Sequence, residues 1–517
     1  MKAEPQAYRD ESASTLPSGA TGLVREMGLL GLAATGICSM MGAAINVIPF
    51  MIQRSVPGIG PYVLPAYLFA ALPAIFAALA YAILASAMPR AGGSYIYASR
   101  GLNPYLGFVA SFSQWFGLSI AIGVVSYVLI PFLRDIAAAL GYEAIAAGLD
   151  TGIVRLLLAL GFLWTFVAVN MRGVKLYERT LVPLMFLMFA LGAVVIFAGF
   201  SFDHADFAAA VLEQEGRVIA TAPGVVGSGA GAAPFQLASY LAAAALLFSS
   251  FIGFDSIAQA GGEARNPNRS LPLAIGIAIV TVGTFYFLFT AAVYHAVPWT
   301  WIAEEAATRD LTAPGMLGYL LPVGWTVAIV AGAAIALIND LPAMLLAVSR
   351  LMFAWAEDGI FPPRVARVHP ERHTPDVAIV LSGAMASVGI LGSHLAGDFF
   401  LGVDILVTSM LVNFLFMCLS VLTLPSRNPE LAREVRVLPQ RWIQVPLALT
   451  GIALLGTFLA VHVWNDLSIP QAAWYLHSTP VWLLVLGVAS VIYFRELGRL
   501  RRRGVDTATL FATLPPE

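Results

Sequence analysis

The sequence predicts an all-α membrane protein of twelve transmembrane helices, and three observations lead there. Hydrophobic residues make up 59% of the 517-residue chain and charged residues 11%, against roughly 25% charged in a soluble domain. Twelve apolar runs recur, most of them at or above the roughly 20 residues a helix needs to cross a hydrocarbon core of about 30 Å. Lysine and arginine collect in alternate connections between those runs. The composition excludes a soluble enzyme, a disordered chain and a nucleic-acid binder, because a net charge of −2 offers no basic surface to phosphates.

The elements follow in order. Residues 1–24 are polar, with Glu4, Arg9, Asp10 and Glu11 and no apolar segment of the signal-peptide kind, so they read as an N-terminal tail. Span 1 is expected over 28–52 and span 2 over 62–88, ending at Pro89. Span 3, 104–133, starts at Pro104, and spans 4 and 5, 153–170 and 180–201, flank a charged turn containing Arg172, Lys175 and Arg179. Residues 202–235 form the longest loop on their side. They carry Asp203, Asp206, Glu213 and Glu215 and then a Gly/Ser/Ala stretch over 227–233, and read as a flexible connection. Spans 6 to 8 follow over 236–259, 272–297 and 322–354, then spans 9 to 12 over 375–395, 401–424, 442–464 and 479–495. A basic tail, 498–517 with Arg499 to Arg503, is expected against anionic lipid.

Charge assigns the sides. The two termini and the connections after spans 2, 4, 6, 8 and 10 carry 23 lysines and arginines, and the opposite connections carry 5. The positive-inside rule places both termini in the cytoplasm, as in an integral protein of the inner or plasma membrane. Cys38 and Cys418 lie inside apolar runs and imply no disulfide framework.

Two spans are predicted to break. Span 1 contains Gly36-Ile-Cys-Ser-Met-Met-Gly42-Ala-Ala-Ile-Asn46, and span 6 contains Phe248-Ser-Ser-Phe-Ile-Gly253-Phe-Asp255. Small residues at four-residue spacing also pack intact membrane helices closely. Paired interruptions in corresponding halves, however, point to a transporter site. The backbone groups freed there are tolerated only where they line a cavity. Breaks are expected at Met41–Ala44 and Ser250–Phe254.

Several stretches resemble the amino acid–polyamine–organocation superfamily of transporters. Pro89-Arg-Ala-Gly-Gly-Ser-Tyr95 is similar to its P-x-x-G-G-x-Y segment, and Gly253-Phe-Asp255 with Glu263-Ala-Arg-Asn-Pro267 to its run after span 6. Ser349-Arg350 with Glu357-Asp-Gly359, and Asn428-Pro-Glu430, resemble the segments closing spans 8 and 10. The resemblance implies a leucine-transporter-like, five-plus-five inverted repeat. The repeats would cover about 28–201 and 236–424, with peripheral helices over 442–495, all within a transporter domain of 25–497. It implies a substrate at the two breaks, its carboxylate on the amides of Gly42, Ala43 and Ala44 and its amino group on the carbonyls of Met40, Ser249 and Ile252. Met41, Phe251, Gly253 and Phe254 complete that candidate site, with either phenylalanine as gate. Relatives place a cation, or a lysine in its stead, between spans 1, 5 and 8, and Met188 stands at the lysine's position.

Asp340 lies ten residues before Arg350, about 15 Å along a helix and so near the midplane, and Asp255 lies ten before Arg265. A carboxyl at that depth needs a partner or a wet cavity. Asp255 reads as a cap on the lower half of span 6 or as a gating group. Asp340, beside Asn339, reads as a coupling carboxyl or as a protonated acid bonded to a carbonyl. Gln114 and Trp115 of span 3 face a substrate side chain or pack. No H-E-x-x-H, Walker A or G-x-S-x-G motif is present. The expectation is therefore a secondary active transporter of amino acids or small amines rather than an enzyme. It would use no organic cofactor and no metal centre, with H+ or Na+ as coupling ion. A cation or polyamine carrier of the same fold is the alternative, and a channel or receptor the other class. Its partners would be a small-molecule substrate and the bilayer.

Overall fold

The computed structural model describes residues 22–42, 44–219, 235–396, 400–468 and 474–515. Ala43, the Ala44 side chain, most of the N-terminal tail and the 227–233 stretch lie outside them. Among the described residues, twelve helices are long and apolar enough to cross a membrane: Leu29–Ser55, Gly60–Ala87, Pro104–Ala139, Gly152–Met171, Val174–Ser201, Leu237–Gln259, Pro267–Ala296, Val323–Glu357, Asp376–Leu395, Leu401–Arg427, Arg441–Ser468 and Ser478–Arg502. They are spans 1 to 12. The described residues contain no strand, only two isolated bridges that tie Met27 to Ala264 and Ala91 to Ala260.

Several spans outrun their apolar cores, because a helix continues into water as long as its backbone bonds and capping allow. Span 3 has 36 residues, about 54 Å at 1.5 Å per residue. It starts at Pro104, where the Asn103 side chain accepts from the amides of Tyr105 and Leu106. Span 5 begins at Val174, earlier than hydropathy indicates, since Lys175, Glu178 and Arg179 extend its polar end. Spans 1, 3, 8 and 10 form the buried centre, while spans 4, 5, 11 and 12 are mostly exposed on their outer faces. Span 3 packs on spans 8, 9, 10 and 12, and span 1 on spans 5, 7 and 8.

Two connections differ from expectation. His204–Glu215 is a helix opened by a capping box, in which Asp203 and Asp206 each accept from the other's end of the turn. It packs Phe207 edge-on against Trp301 at 4.9 Å. A polar, Ala-rich segment thus gains helical order from its cap and one buried aromatic. The basic tail is also more structured than expected. Span 12 continues to Arg502, and a short helix, Thr507–Ala512, folds back on the protein with Phe511 buried.

Candidate functional site

Span 1 stops at Met40 and resumes at Ala44, and span 6 runs Leu237–Leu247, tightens to a 3-10 turn over Phe248–Phe251, and resumes at Ser256. The interruptions fall where paired glycines predicted them, and they face each other. Gly253 has φ +131°, and a Cβ there would stand 2.7 Å from the Met40 amide nitrogen, so only glycine allows the two chains to meet. Ser39 and Ser256 join their hydroxyls across the junction at 2.9 Å.

A cavity of ≈ 840 Å³ descends to this junction from the face opposite the termini. Its base is formed by Ser39, Met40, Gly42, Ser249, Ile252, Asp340 and Met344. Val47, Ile48, Met51, Val124, Val125, Val128 and Leu406 make apolar walls, and Arg54, Asp404 and Asp466 stand with the helix ends nearer the mouth. Arg54 is paired there with Asp310 at 2.9 Å. Asp466 accepts from the amides of Ser478 and Thr479 and so fixes the start of span 12.

The opposite face is sealed by successive layers. Phe254 stacks on Phe414 at 5.0 Å, and Tyr81 meets both rings edge-on. Beneath them Tyr81, Ser94, Gln259 and Asn413 share a buried hydrogen-bond network, with Asn413 Nδ2 donating to the Tyr81 hydroxyl at 2.7 Å and Gln259 Nε2 to Ser94 Oγ at 2.6 Å. Two buried ion pairs follow. Arg350 binds both oxygens of Glu263, at 2.5 and 3.2 Å, and Arg100 binds both oxygens of Asp358, which also accepts from the Tyr95 hydroxyl at 2.7 Å.

The expected site residues divide. Met40, Gly42, Ser249, Ile252 and Asp340 line the cavity. Met41 turns instead towards a small space shared with Met188, Ala333 and Ala336, between spans 1, 5 and 8. Gly253 is buried in the junction itself. Phe251 packs on Tyr67 at 5.5 Å, away from the cavity. Phe254 lies in the aromatic seal, not in the cavity wall. Gln114 and Trp115 are not in the cavity lining. Gln114 Nε2 donates to Asp255 Oδ2 at 2.6 Å, and Trp115 packs among Phe112 and Trp355. Asp255 stands at the N-cap position of the lower half of span 6 but makes no side-chain cap bond there, and its Oδ2 is held by span 3 instead.

Two expected backbone acceptors are already engaged. The Met40 carbonyl accepts from the Tyr286 hydroxyl of span 7 at 2.6 Å, and the Ser249 carbonyl from the Ile252 amide at 3.2 Å. Each keeps a second lone pair for a ligand. Tyr286 carried no sequence signal, being one tyrosine in a long apolar run. Asn339 does not assist Asp340; its amide donates to Cys38 Sγ at 2.8 Å.

A family model described as "Amino acid permease" matches residues 27–488. A branched-chain amino acid permease of Bacillus subtilis is 25% identical over 505 residues, covering 96% of this chain and 98% of its own. A methylthioribose transporter of the same organism is 24% identical over 510 residues, 96% of this chain and 99% of its own. A low-affinity putrescine importer of Escherichia coli is 26% identical over 363 residues, 69% of this chain and 72% of its own.

Proposed function

The chain belongs to the amino acid permease family, and from that premise we propose that it is a secondary active transporter which carries amino acids or small amines across a membrane by alternating access. The observation that supports this reading most is the cavity, open to one face and ending at two broken helices over a sealed base. A substrate that enters it reaches the midplane without a path through. Passage needs the aromatic seal, the Tyr81 network and the two ion pairs to part while the upper walls close.

Freed backbone groups at the breaks serve as ligands where they line the cavity, the Met40 and Ser249 carbonyls through the lone pair that their protein donors leave open. The Met40, Ser249 and Ile252 carbonyls suit an ammonium group, and the positive end of the Ala44–Ser55 half-helix suits a negative one. The inverted repeat inferred from the sequence would explain why the two breaks meet. For the driving ion we propose the proton, with sodium as the other candidate and Asp255 and Asp340 as the carboxyls that would carry it. Orientation follows from charge: both termini lie in the cytoplasm of a cell whose inner or plasma membrane holds the protein. The cavity then faces outward.

Counterflow in proteoliposomes tests the reading. Vesicles loaded with an unlabelled amino acid or amine should accumulate the labelled compound transiently and saturably. Flux without saturation or counterflow identifies a channel, and binding without flux a receptor.

A further inference from the structure

At the base of the cavity the sign of the charge differs from what an α-amino acid requires. The family resemblance assigns a substrate carboxylate to the amides opening the second half of span 1. In the structure Asp340 stands beside the first of those residues: a methyl group placed on Gly42 would lie 2.9 Å from Asp340 Oδ2 and, its chain neighbours aside, meet no other described residue within 4 Å. Asp340 is 4% exposed, and its Oδ1 has no hydrogen-bond partner among the described residues. Asn339 is turned away to Cys38. Among the described residues the cavity lining supplies no basic side chain at that depth. Arg54 stands near the mouth and is held by Asp310, and His462 is bonded to Thr408. Asp404 and Asp466 add to the negative lining.

We propose that Asp340 is the cavity's own counter-charge and that it selects amines without a carboxylate. This rests on the transporter reading above and narrows it to a substrate class. An ammonium group pairs with the Asp340 carboxyl and with the carbonyls at the two breaks. The apolar body lies along Val47, Ile48, Val124 and Val125. An α-amino acid in the same pose brings its carboxylate beside Asp340 with no cation between them, and like charges in a weakly polar site repel strongly. A proton and an ammonium group neutralise the same carboxyl, so each excludes the other, which favours their exchange across the membrane.

The test uses three pairs that differ only by the carboxylate: isoamylamine and leucine, phenethylamine and phenylalanine, putrescine and ornithine. Each is titrated against the purified full-length protein by thermal shift, since a ligand of the folded state raises its unfolding temperature, and each is then run in counterflow. In at least one pair the amine should bind at least about tenfold more tightly than its amino acid, and Asp340→Asn should remove that preference. Equal or tighter binding of the amino acids in every pair overturns the proposal, as does a wild-type protein that no amine stabilises. A folded Asp340→Asn protein that binds amines like the wild type overturns it too, and leaves Asp340 an ion-coupling group. The wild-type pairs decide the matter if that variant fails to fold. An amine that binds without counterflow supports the substrate class and overturns the transport reading. Amino-acid counterflow with no amine binding does the reverse.

Discussion

At the scale of single residues, the closed side of the molecule depends on charges taken out of water. Arg350 and Glu263 are both buried, in spans and segments 87 residues apart in the chain. A buried pair contributes little over an apolar pair of the same shape, but removing one partner strands the other charge. Glu263→Ala should therefore lower the stability of the detergent-solubilised protein by about 3–5 kcal/mol, the cost of breaking a buried pair. The double change Glu263→Ala, Arg350→Met should recover most of it. Denaturant titration with both variants measures this, and a single variant as stable as the wild type refutes it. Tyr286→Phe is a milder case: it takes one donor from the Met40 carbonyl and should cost about 0.5–1.5 kcal/mol while weakening substrate binding. The depth of Asp340 was legible from its distance to Arg350. Its position against Gly42 was not, since spans 1 and 8 are brought together only by packing.

At the scale of elements, the two breaks act as one unit. Gly253→Ala forces a side chain onto a backbone with φ +131° and against Ser39 and Met40. Gly276 of span 7 offers a contrast, because a Cβ there meets nothing within 4 Å. Gly253→Ala should cost about 1–3 kcal/mol from backbone strain alone, with a further penalty from the clash, and should reduce the yield of monodisperse protein. Gly276→Ala should not reduce it. Gly253 is buried in the junction rather than in the cavity wall, so a larger residue there does not simply fill the cavity. The structure moves the effect to the junction, where the fold itself is at stake.

The C-terminal segment is a second element whose role the sequence did not signal. Arg90 Nε donates to the Pro515 carbonyl at 3.1 Å, Arg100 Nε to Thr513 at 3.1 Å, and Asn428 Nδ2 to Ala512 at 2.7 Å. Arg100 is also the partner of Asp358 in the seal. Truncation before Val505 removes these acceptors, and hydrogen bonds from charged groups contribute about 1.5–3 kcal/mol each. The truncated protein should unfold at a lower temperature in detergent. An unchanged midpoint shows that the segment is a passive tail.

At the scale of the whole molecule, sidedness is the property that charge alone proposes. Arg502→Cys lies at the exposed end of span 12, and Glu213→Cys on the exposed helix after span 5. In intact cells an impermeant thiol reagent should label the second and spare the first. Both native cysteines are buried and give little background. The reverse pattern overturns the orientation and with it the outward-facing cavity.

The sequence by itself determined the twelve spans, the family and the two breaks. Each of these is written locally: in runs of apolar residues, in loop charges, and in glycines near the middle of spans 1 and 6. Tertiary structure alone decided which residues meet. Gln114 was drawn to Asp255 and Phe254 to the seal, neither of them to the cavity, and Tyr286 capped a carbonyl of span 1. Inside a membrane every span is apolar on most of its surface, so hydropathy does not say which face looks at lipid, at a neighbour or at a cavity. That choice is made by shape and by the few polar groups that must find one another, and those groups come from distant parts of the chain.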